Sequence, residues 1–198
     1  MIVHCATGNT GKLCEFQRAV EHFGATGIAI EPLPGLADIA QPEETGATFE
    51  ENAILKAVYY SRFSSHPVFA DDSGLAVDAL GGAPGVLSAR YSGPGATDAT
   101  NNALVLDRMR GRNDRAARFV CVIALARRGE ILGTFRGVVE GVLLEEARGE
   151  GGFGYDPLFY YPPFGCTLAQ ATATAKMQVS HRGQALEKLL RYLATYTE

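Results

Sequence analysis

Two adjacent carboxylates, Asp71 and Asp72, follow an apolar run at residues 67–70 and precede Ser73 and Gly74. The apolar run predicts a buried strand that ends at the acids. Because burying a charge is costly, acids at the end of such a strand need a partner, which could be a divalent metal, a Lys or Arg side chain, or a shared proton. A strand-ending turn, in which Asp72 or Ser73 hydrogen-bonds the backbone and Gly74 supplies a positive φ, would explain the same residues without chemistry.

A second polar segment, residues 7–12, lies between the apolar residues 1–6 and a helical pattern of apolar side chains. A glycine-rich loop between a strand and a helix presents backbone N–H groups to an anion, and Lys12 adds a positive charge. The segment is not a Walker A loop, because its glycines are three apart and no Ser or Thr follows the lysine. From the residues alone, phosphate binding and a plain strand-to-helix connection are both open.

Further polar and aromatic residues lie at the ends of predicted elements. Carboxylates that could hold Mg²⁺ are Glu43, Glu44, Asp71 and Asp72. Side chains that could reach a phosphate or the polar edge of a ligand are Lys56, Lys176, His181 and Arg182. Phe153 and Tyr155 offer ring faces on which a base could stack. Each has an ordinary structural explanation, such as a solvated lysine or a buried aromatic ring, but together these residues describe a nucleoside-triphosphate site.

The hydrophobic pattern predicts strands alternating with helices, and therefore an α/β fold. The predicted strands are residues 1–6, 27–33, 67–70, 117–126, 131–144 and 158–161. The predicted helices are residues 13–23, 48–63, 97–109, 168–175 and 181–193, the second opened by a capping box of Thr48 and Glu51. The short connection at residues 127–130 predicts a hairpin, so the sheet cannot be purely parallel.

Composition narrows the class of protein. A chain of 198 residues with 46% hydrophobic residues suits one well-buried domain, or two lobes that share a cleft. The net charge of −4 offers no broad electrostatic reason to bind nucleic acid or an anionic membrane. The four cysteines have no metal-finger spacing and predict free thiols. Residues 1–6 form too short an apolar run for a signal peptide or a membrane span, so we expect a cytoplasmic protein.

Eight segments, in order along nearly the whole chain, closely resemble the inosine/xanthosine triphosphate pyrophosphatase family. They are Ala6-Thr-Gly-Asn-Thr-Gly-Lys12, Glu43-Glu-Thr-Gly-x-Thr-Phe49, Glu51-Asn-Ala-Ile-Leu-Lys-Ala57, Ala70-Asp-Asp-Ser-Gly-Leu-x-Val77, Leu80-Gly-Gly-x-Pro-Gly85, Ser88-Ala-Arg-Tyr91, Gly151-Gly-Phe-Gly-Tyr-Asp-Pro157 and Ser180-His-Arg-Gly-x-Ala-Leu186. The resemblance implies Mg²⁺-dependent hydrolysis of ITP, dITP and XTP to the monophosphate and pyrophosphate. It also implies an elongated mixed sheet flanked by helices, with residues 1–198 forming one two-lobed domain, a nucleotide cleft between the lobes, and a homodimer.

The resemblance also implies roles for individual residues. Residues that would hold the triphosphate are Thr7, Gly8, Asn9, Thr10, Gly11 and Lys12. Glu44 and Asp72 would bind Mg²⁺, Asp72 would also act as general base on the attacking water, and Ser73 would touch substrate. Lys56 and Lys176 would contact phosphate or base. The purine pocket would be formed by Phe153, Gly154, Tyr155, Asp156, His181 and Arg182.

Two other classes of protein share some of these features. Asp72-Ser-Gly after an apolar strand is the signature of an aspartic protease, but such a protease needs a second copy of the signature or a dimer of small all-β subunits. The chain has one copy, and it has predicted helices. A nucleotide sensor without turnover could use the same pocket, although a general base and two candidate metal ligands argue for an enzyme.

Overall fold

The computed structural model of the protein describes residues 1–196 and shows an α/β fold. Its strands are β1 (Ile2–Cys5), β2 (Ala29–Pro32), β3 (Val68–Val77), β4 (Ala116–Arg127), β5 (Glu130–Leu143), β6 (Phe159–Tyr161) and β7 (Cys166–Thr167). Its α-helices are α1 (Thr10–His22), α2 (Phe49–Tyr60), α3 (Asp98–Arg108), α4 (Ala173–Val179) and α5 (His181–Thr195). Short 3₁₀ helices lie at Leu36–Asp38, Ser61–Phe63, Asp78–Leu80, Gly85–Arg90 and Pro162–Phe164.

The strands form one mixed sheet in the order β2-β1-β3-β4-β5-β6-β7. β1 is parallel to β2 on one side and to β3 on the other, whereas β6 is antiparallel to both β5 and β7. Arg128 and Gly129 join β4 to β5, and both have positive φ, at 54° and 87°. Positive φ at both central residues is the requirement of a type I′ hairpin turn. The predictions of a mixed sheet and of this hairpin are therefore confirmed.

The prediction that the apolar strand stops at the acids is wrong. β3 runs on through both carboxylates to Val77, and Leu75 and Val77 are fully buried beyond them. Gly74 lies in this extended strand and is not among the glycines with positive φ, so the strand-ending turn is wrong as well. The expectation failed because the sequence does not show which partner each acid has. In the structure each acid pairs with a lysine of another element, and the strand continues past both.

Gly74 is required by a close approach of the backbone rather than by a turn. A Cβ at this position would lie 2.7 Å from the carbonyl oxygen of Gly85 and would overlap the Ser88 side chain. Ser88 has little room to move, because its Oγ accepts a hydrogen bond from the Leu75 N–H at 2.9 Å and donates one to the Gly85 carbonyl at 2.7 Å. The backbone of β3 therefore lies directly against the 3₁₀ helix Gly85–Arg90.

We expect Gly74→Ala to lower the free energy of unfolding by about 1–3 kcal/mol, the usual cost of overpacking a filled site. Urea denaturation monitored by circular dichroism measures the change. Gly8→Ala is the matched control, since Gly8 is exposed and a Cβ there meets no atom within 4 Å. Equal stability of the two variants would contradict the close approach.

Most predicted helices are confirmed, and two need correction. The capping box of α2 is present, with Thr48 accepting from the Glu51 N–H. The helix expected at residues 168–175 is displaced, because Thr172 caps α4 and β7 occupies the preceding segment. α1 begins at Thr10, so the glycine-rich segment is already helical at its end.

None of the helices formed by residues 1–196 is long and apolar enough to cross a membrane. The four cysteines are free, as predicted.

The chain divides into two compact units. The first contains Met1–Asp72, Cys121–Gly137 and the chain from His181, and in it the rings of Phe16 and Phe69 meet edge-on with centroids 5.2 Å apart. The second contains Ser73–Val120 and Val138–Ser180. Its core is one apolar cluster formed by Leu75, Val77, Val105, Met109, Ala117, Phe119, Val139, Leu143, Tyr155, Leu158, Phe159 and Leu168. The assignment of residues 1–198 to a single two-lobed domain stays a prediction.

Candidate active site

The adjacent acids of β3 leave the strand on opposite faces, as consecutive strand residues must. Asp71 accepts a hydrogen bond from Nζ of Lys12 in α1 at 2.7 Å, whereas Asp72 accepts one from Nζ of Lys56 in α2 at 3.0 Å. Burial disfavours the charge of Asp71, but the nearby cations Lys12, Arg182 and Lys56 outweigh burial and hold its pKa at about 2. Asp71 is therefore a permanent anion paired with the end of the glycine-rich segment.

Lys56 joins two carboxylates. Its Nζ lies 2.7 Å from Oε1 of Glu44 and 3.0 Å from Oδ1 of Asp72, and the side chains of all three residues are largely buried. Burial raises the pKa of Asp72 above its ordinary value, Lys56 opposes that rise, and Glu44 adds to it. A carboxylate with a raised pKa is the stronger base. Glu43, the alternative metal ligand of the acidic loop, is exposed to solvent.

Asn52 ties the acidic loop to β3. Its side chain is fully buried, accepts a hydrogen bond from the Gly46 N–H at 2.8 Å, and donates one to the Gly46 carbonyl at 3.3 Å. The same Nδ2 lies 3.4 Å from Oδ2 of Asp72. Asn52 and Lys56 are one helical turn apart on α2, so a single helix face supplies both contacts to Asp72.

The glycine-rich segment has the geometry of a capped helix start. The Asn9 side chain accepts from the Lys12 N–H at 3.0 Å, and the hydroxyl of Thr7 accepts from the Asn9 N–H at 3.2 Å. Residues 10–11 occupy the first two positions of α1, where backbone N–H groups have no acceptor within the helix. Residues 8–10 are exposed. An anion can therefore approach these N–H groups and the positive end of the helix dipole.

His181 and Arg182 open α5, and only 1% and 8% of their surfaces are exposed. Arg182 donates to Oε2 of Glu15 in α1 at 3.2 Å, which places its guanidinium on the same side as the Lys12–Asp71 pair. The first turn of α5 lies against β5, because a Cβ at Gly137 would approach the backbone nitrogen of Ala185 to 2.8 Å. The structure thus fixes both side chains through the packing of their helix.

In the second unit, Phe153 and Asp156, two of the residues predicted to form the purine pocket, contact Lys176 around one buried ion pair. Nζ of Lys176 lies 2.7 Å from Oδ2 of Asp156, and their side chains are only 8% and 4% exposed. The same ammonium lies 5.1 Å from the centre of the Phe153 ring, within the range of a cation–π interaction. Oδ2 of Asp156 also accepts from the Phe153 N–H at 2.9 Å. Half-buried Phe153 therefore has a fixed backbone and a charged neighbour.

Tyr155 has a different place from its neighbours. Its surface is 4% exposed, its ring belongs to the apolar cluster of the second unit, and its hydroxyl donates to the Ser88 carbonyl at 2.7 Å. Burial raises the pKa of this hydroxyl well above its ordinary value. Phe153, rather than Tyr155, is thus the partly exposed ring of the segment. Ser73, the predicted substrate contact, is half-buried on β3 at the start of the second unit.

Comparison with known proteins identifies the family. The sequence model described as the Ham1 family matches residues 3–192. The chain belongs to the Ham1 family. A dITP/XTP pyrophosphatase of Acidobacterium capsulatum is 48% identical over 202 residues, which cover 98% of each chain. A dITP/XTP pyrophosphatase of Thermus thermophilus is 50% identical over 194 residues, covering 96% of this chain and 90% of the relative. The structure of a HAM1 protein from Coxiella burnetii is 41% identical, with a TM-score of 0.88 over 99% of this chain and 100% of the other.

The chain offers two carboxylates for a metal rather than a complete set of protein ligands. Among residues 1–196 there is no group of three or more His, Cys, Asp and Glu side chains that could hold a metal ion. Glu44 and Asp72 nevertheless converge on a single positive charge, that of Lys56. Mg²⁺ commonly takes one or two carboxylates and fills its other positions with water and substrate phosphate oxygens. The two carboxylates therefore fit Mg²⁺ that would be held jointly by the protein and a bound triphosphate.

Two residues that position the predicted site residues by direct contact were not identified from the sequence. Glu15 pairs with Arg182, and Asn52 contacts both the acidic loop and Asp72. For Asn52 a signal exists, since it lies four residues before Lys56 on a helix face separate from the apolar one. For Glu15 the partner is 167 residues away, and no local pattern indicates it.

Proposed function

We propose that this protein is a dITP/XTP pyrophosphatase. It hydrolyses deaminated purine nucleoside triphosphates, namely ITP, dITP and XTP, to the nucleoside monophosphate and pyrophosphate, and so removes them from the nucleotide pool. The observation that carries this conclusion is identity of 48% to 50%, over nearly the full length, to proteins of that name. The charged groups around Lys56 and around Lys176 are of the kinds that such a reaction requires.

Cleavage between the α- and β-phosphates needs a positioned water and neutralisation of charge on the phosphate oxygens. Asp72 accepts the proton of the water, and its raised pKa suits that role. Lys12, Lys56 and the first N–H groups of α1 bind phosphate oxygens. Mg²⁺, held by Glu44 and Asp72, would supply further charge neutralisation at the triphosphate. Ser73 follows the base directly on β3 and contacts the substrate.

Selectivity for the base follows from the six-position of the purine. Hypoxanthine and xanthine carry an oxygen there, which satisfies a donor such as Arg182 or a nearby backbone N–H. The amino group of adenine would leave that donor unpaired, and an unpaired buried donor costs binding energy. Guanine shares the oxygen, so its rejection comes from around the two-position, through Asp156 or the shape of the pocket near Phe153 and Lys176.

The resemblance implies further properties, which we propose for this chain. The nucleotide binds in a cleft between two lobes of a single domain, and the protein is a cytoplasmic homodimer. Neither nucleic acid nor a membrane is a partner, in keeping with the net charge of −4. Light scattering coupled to size-exclusion chromatography tests the dimer, since a monomer mass at micromolar concentration would contradict it.

A steady-state panel of nucleotides tests the activity. We expect pyrophosphate release from ITP, dITP and XTP with Mg²⁺, and kcat/KM roughly 100-fold lower for ATP and GTP, because discrimination rests on satisfied and unsatisfied polar groups. Excess EDTA should abolish turnover and added Mg²⁺ should restore it. Cleavage of ATP as fast as ITP, or full activity in EDTA, would refute the proposal. Binding of ITP without any product would instead indicate a nucleotide sensor.

A further inference from the structure

One helix holds both polar groups of a single glycine in the purine-binding segment. The carboxylate of Asp98 accepts a hydrogen bond from the Gly154 N–H at 2.7 Å, and Nδ2 of Asn102 donates one to the Gly154 carbonyl at 3.0 Å. The two residues are four apart on α3, so they lie on the same helix face. Gly154 has a φ of 62°, a conformation that L side chains rarely adopt.

The helix that provides these contacts is itself firmly anchored. Val105 and Met109, on and just after α3, are buried in the apolar cluster of the second unit. Asn101, the residue before Asn102, is buried and donates to the carbonyls of Ser88 and Ala89 at 3.3 and 3.2 Å. A helix anchored in this way fixes the position of a neighbouring binding loop more precisely than contacts within the loop alone would.

We propose that Asp98 and Asn102 are positioning residues that determine purine selectivity. They act through Gly154, whose fixed peptide groups set the position of Phe153 relative to the buried Lys176–Asp156 pair. The inference rests on the proposed function, because it concerns how the same pocket distinguishes its bases. Neither residue needs to touch the substrate.

Selectivity depends on such rigidity for a physical reason. A pocket rejects the wrong base only if its polar groups cannot move to relieve an unpaired donor or a close contact. With Gly154 held at both of its polar groups, Phe153 cannot shift to accommodate an additional substituent on the base. If either hydrogen bond is removed, the segment gains freedom, and the penalty for guanine or adenine falls.

Asn102 allows selectivity to be separated from stability. Its Oδ1 is buried and has no hydrogen-bond partner among residues 1–196. An unpaired buried acceptor costs stability, so its removal offsets part of the loss of the bond to Gly154. Asn102→Leu should therefore fold with a melting temperature close to that of the wild type while lacking one of the two contacts to the segment.

Kinetics of Asp98→Ala and Asn102→Leu on ITP and GTP test the proposal. We expect KM for ITP to rise about tenfold with kcat nearly unchanged, and the ITP to GTP ratio of kcat/KM to fall about tenfold, the usual effect of one lost hydrogen bond. Asp98→Asn retains an acceptor oxygen for the Gly154 N–H and should restore most of the selectivity. The matched controls are Asp107→Ala and Asn113→Ala, at exposed positions near the other end of α3.

The outcomes are distinguishable. Wild-type protein that releases no pyrophosphate from ITP would refute the proposed function, and the inference with it. A selective wild type would overturn the positioning role alone if Asp98→Ala and Asn102→Leu kept its KM for ITP and its ITP to GTP ratio of kcat/KM. An equal loss of kcat on both substrates with a lowered melting temperature would also overturn it, since that is the result of a purely structural role.

Discussion

Asp72→Asn is expected to lower kcat for ITP by about 10³-fold, in the middle of the range for loss of a general base. The amide is as large as the carboxylate and keeps an oxygen that can accept from Lys56, so the fold should be preserved. It cannot take a proton from water, and it is a weaker ligand for a divalent cation. Binding of ITP, measured by calorimetry, should weaken far less than turnover.

Two neighbouring acids provide the comparison for this variant. Asp78→Asn changes an exposed acid paired with Arg118, and it should leave kcat unchanged. Asp71→Asn removes the partner of Lys12 and should raise KM more than it lowers kcat. If Asp71→Asn, rather than Asp72→Asn, abolished turnover with binding retained, the base would have been assigned to the wrong acid.

The largest expected effect on stability comes from the buried pair of the second unit. Lys176→Met leaves the carboxylate of Asp156 buried without its cation, and breaking a buried ion pair in this way typically costs about 3–5 kcal/mol. Methionine keeps much of the apolar volume next to Phe153, so the loss reports mainly on charge. Urea denaturation at neutral pH measures it as a fall in the free energy of unfolding.

A double-mutant cycle separates the charge from the packing. In Lys176→Met with Asp156→Leu, neither charge remains, and we expect much of the lost stability to return, because two apolar groups of similar size can replace a buried pair. The hydrogen bond to the Phe153 N–H stays lost, so recovery should be incomplete. Turnover of ITP should stay low in both single variants and in the double variant. A double variant as unstable as the sum of its two single variants would show that the two charges are not coupled.

Local sequence signals predicted what local interactions determine. The capping box of α2, the hairpin at Arg128 and Gly129, and the apolar stripe of α5 are each encoded within a few residues, and the structure contains all three. The family motifs, which run from Ala6 to Leu186, added the proposed roles of the site residues, and those roles stay predictions. These three parts of the fold could be predicted without knowing any tertiary contact.

The failures have a common physical cause. β3 was expected to end at its acids because a sequence does not show that Lys12 and Lys56 will reach them across 59 and 16 residues. Helix α4 was misplaced because the chain before it pairs with β6, which no local pattern indicates. The hydrogen bond from the Gly154 N–H to Asp98 likewise joins residues 56 positions apart, and its donor is a backbone group, so no side-chain pattern in the sequence indicates it.

Because Asp71 and Asp72 lie on opposite faces of β3, the number of residues before them in the strand matters as much as the type of those residues for where each acid points. Side chains on a strand alternate with a period of two, so a shift of one residue moves each to the other face. Deleting one residue from the buried stretch before the acids would direct Asp72 towards α1 and Asp71 towards α2. All the polar side chains would still be present, but Asp71, the partner of Lys12, and Asp72, the proposed base, would have exchanged faces of the sheet. Which face each acid occupies therefore depends on the number of strand residues before it. The protein should tolerate many apolar substitutions at residues 68–70 more readily than a single insertion or deletion there.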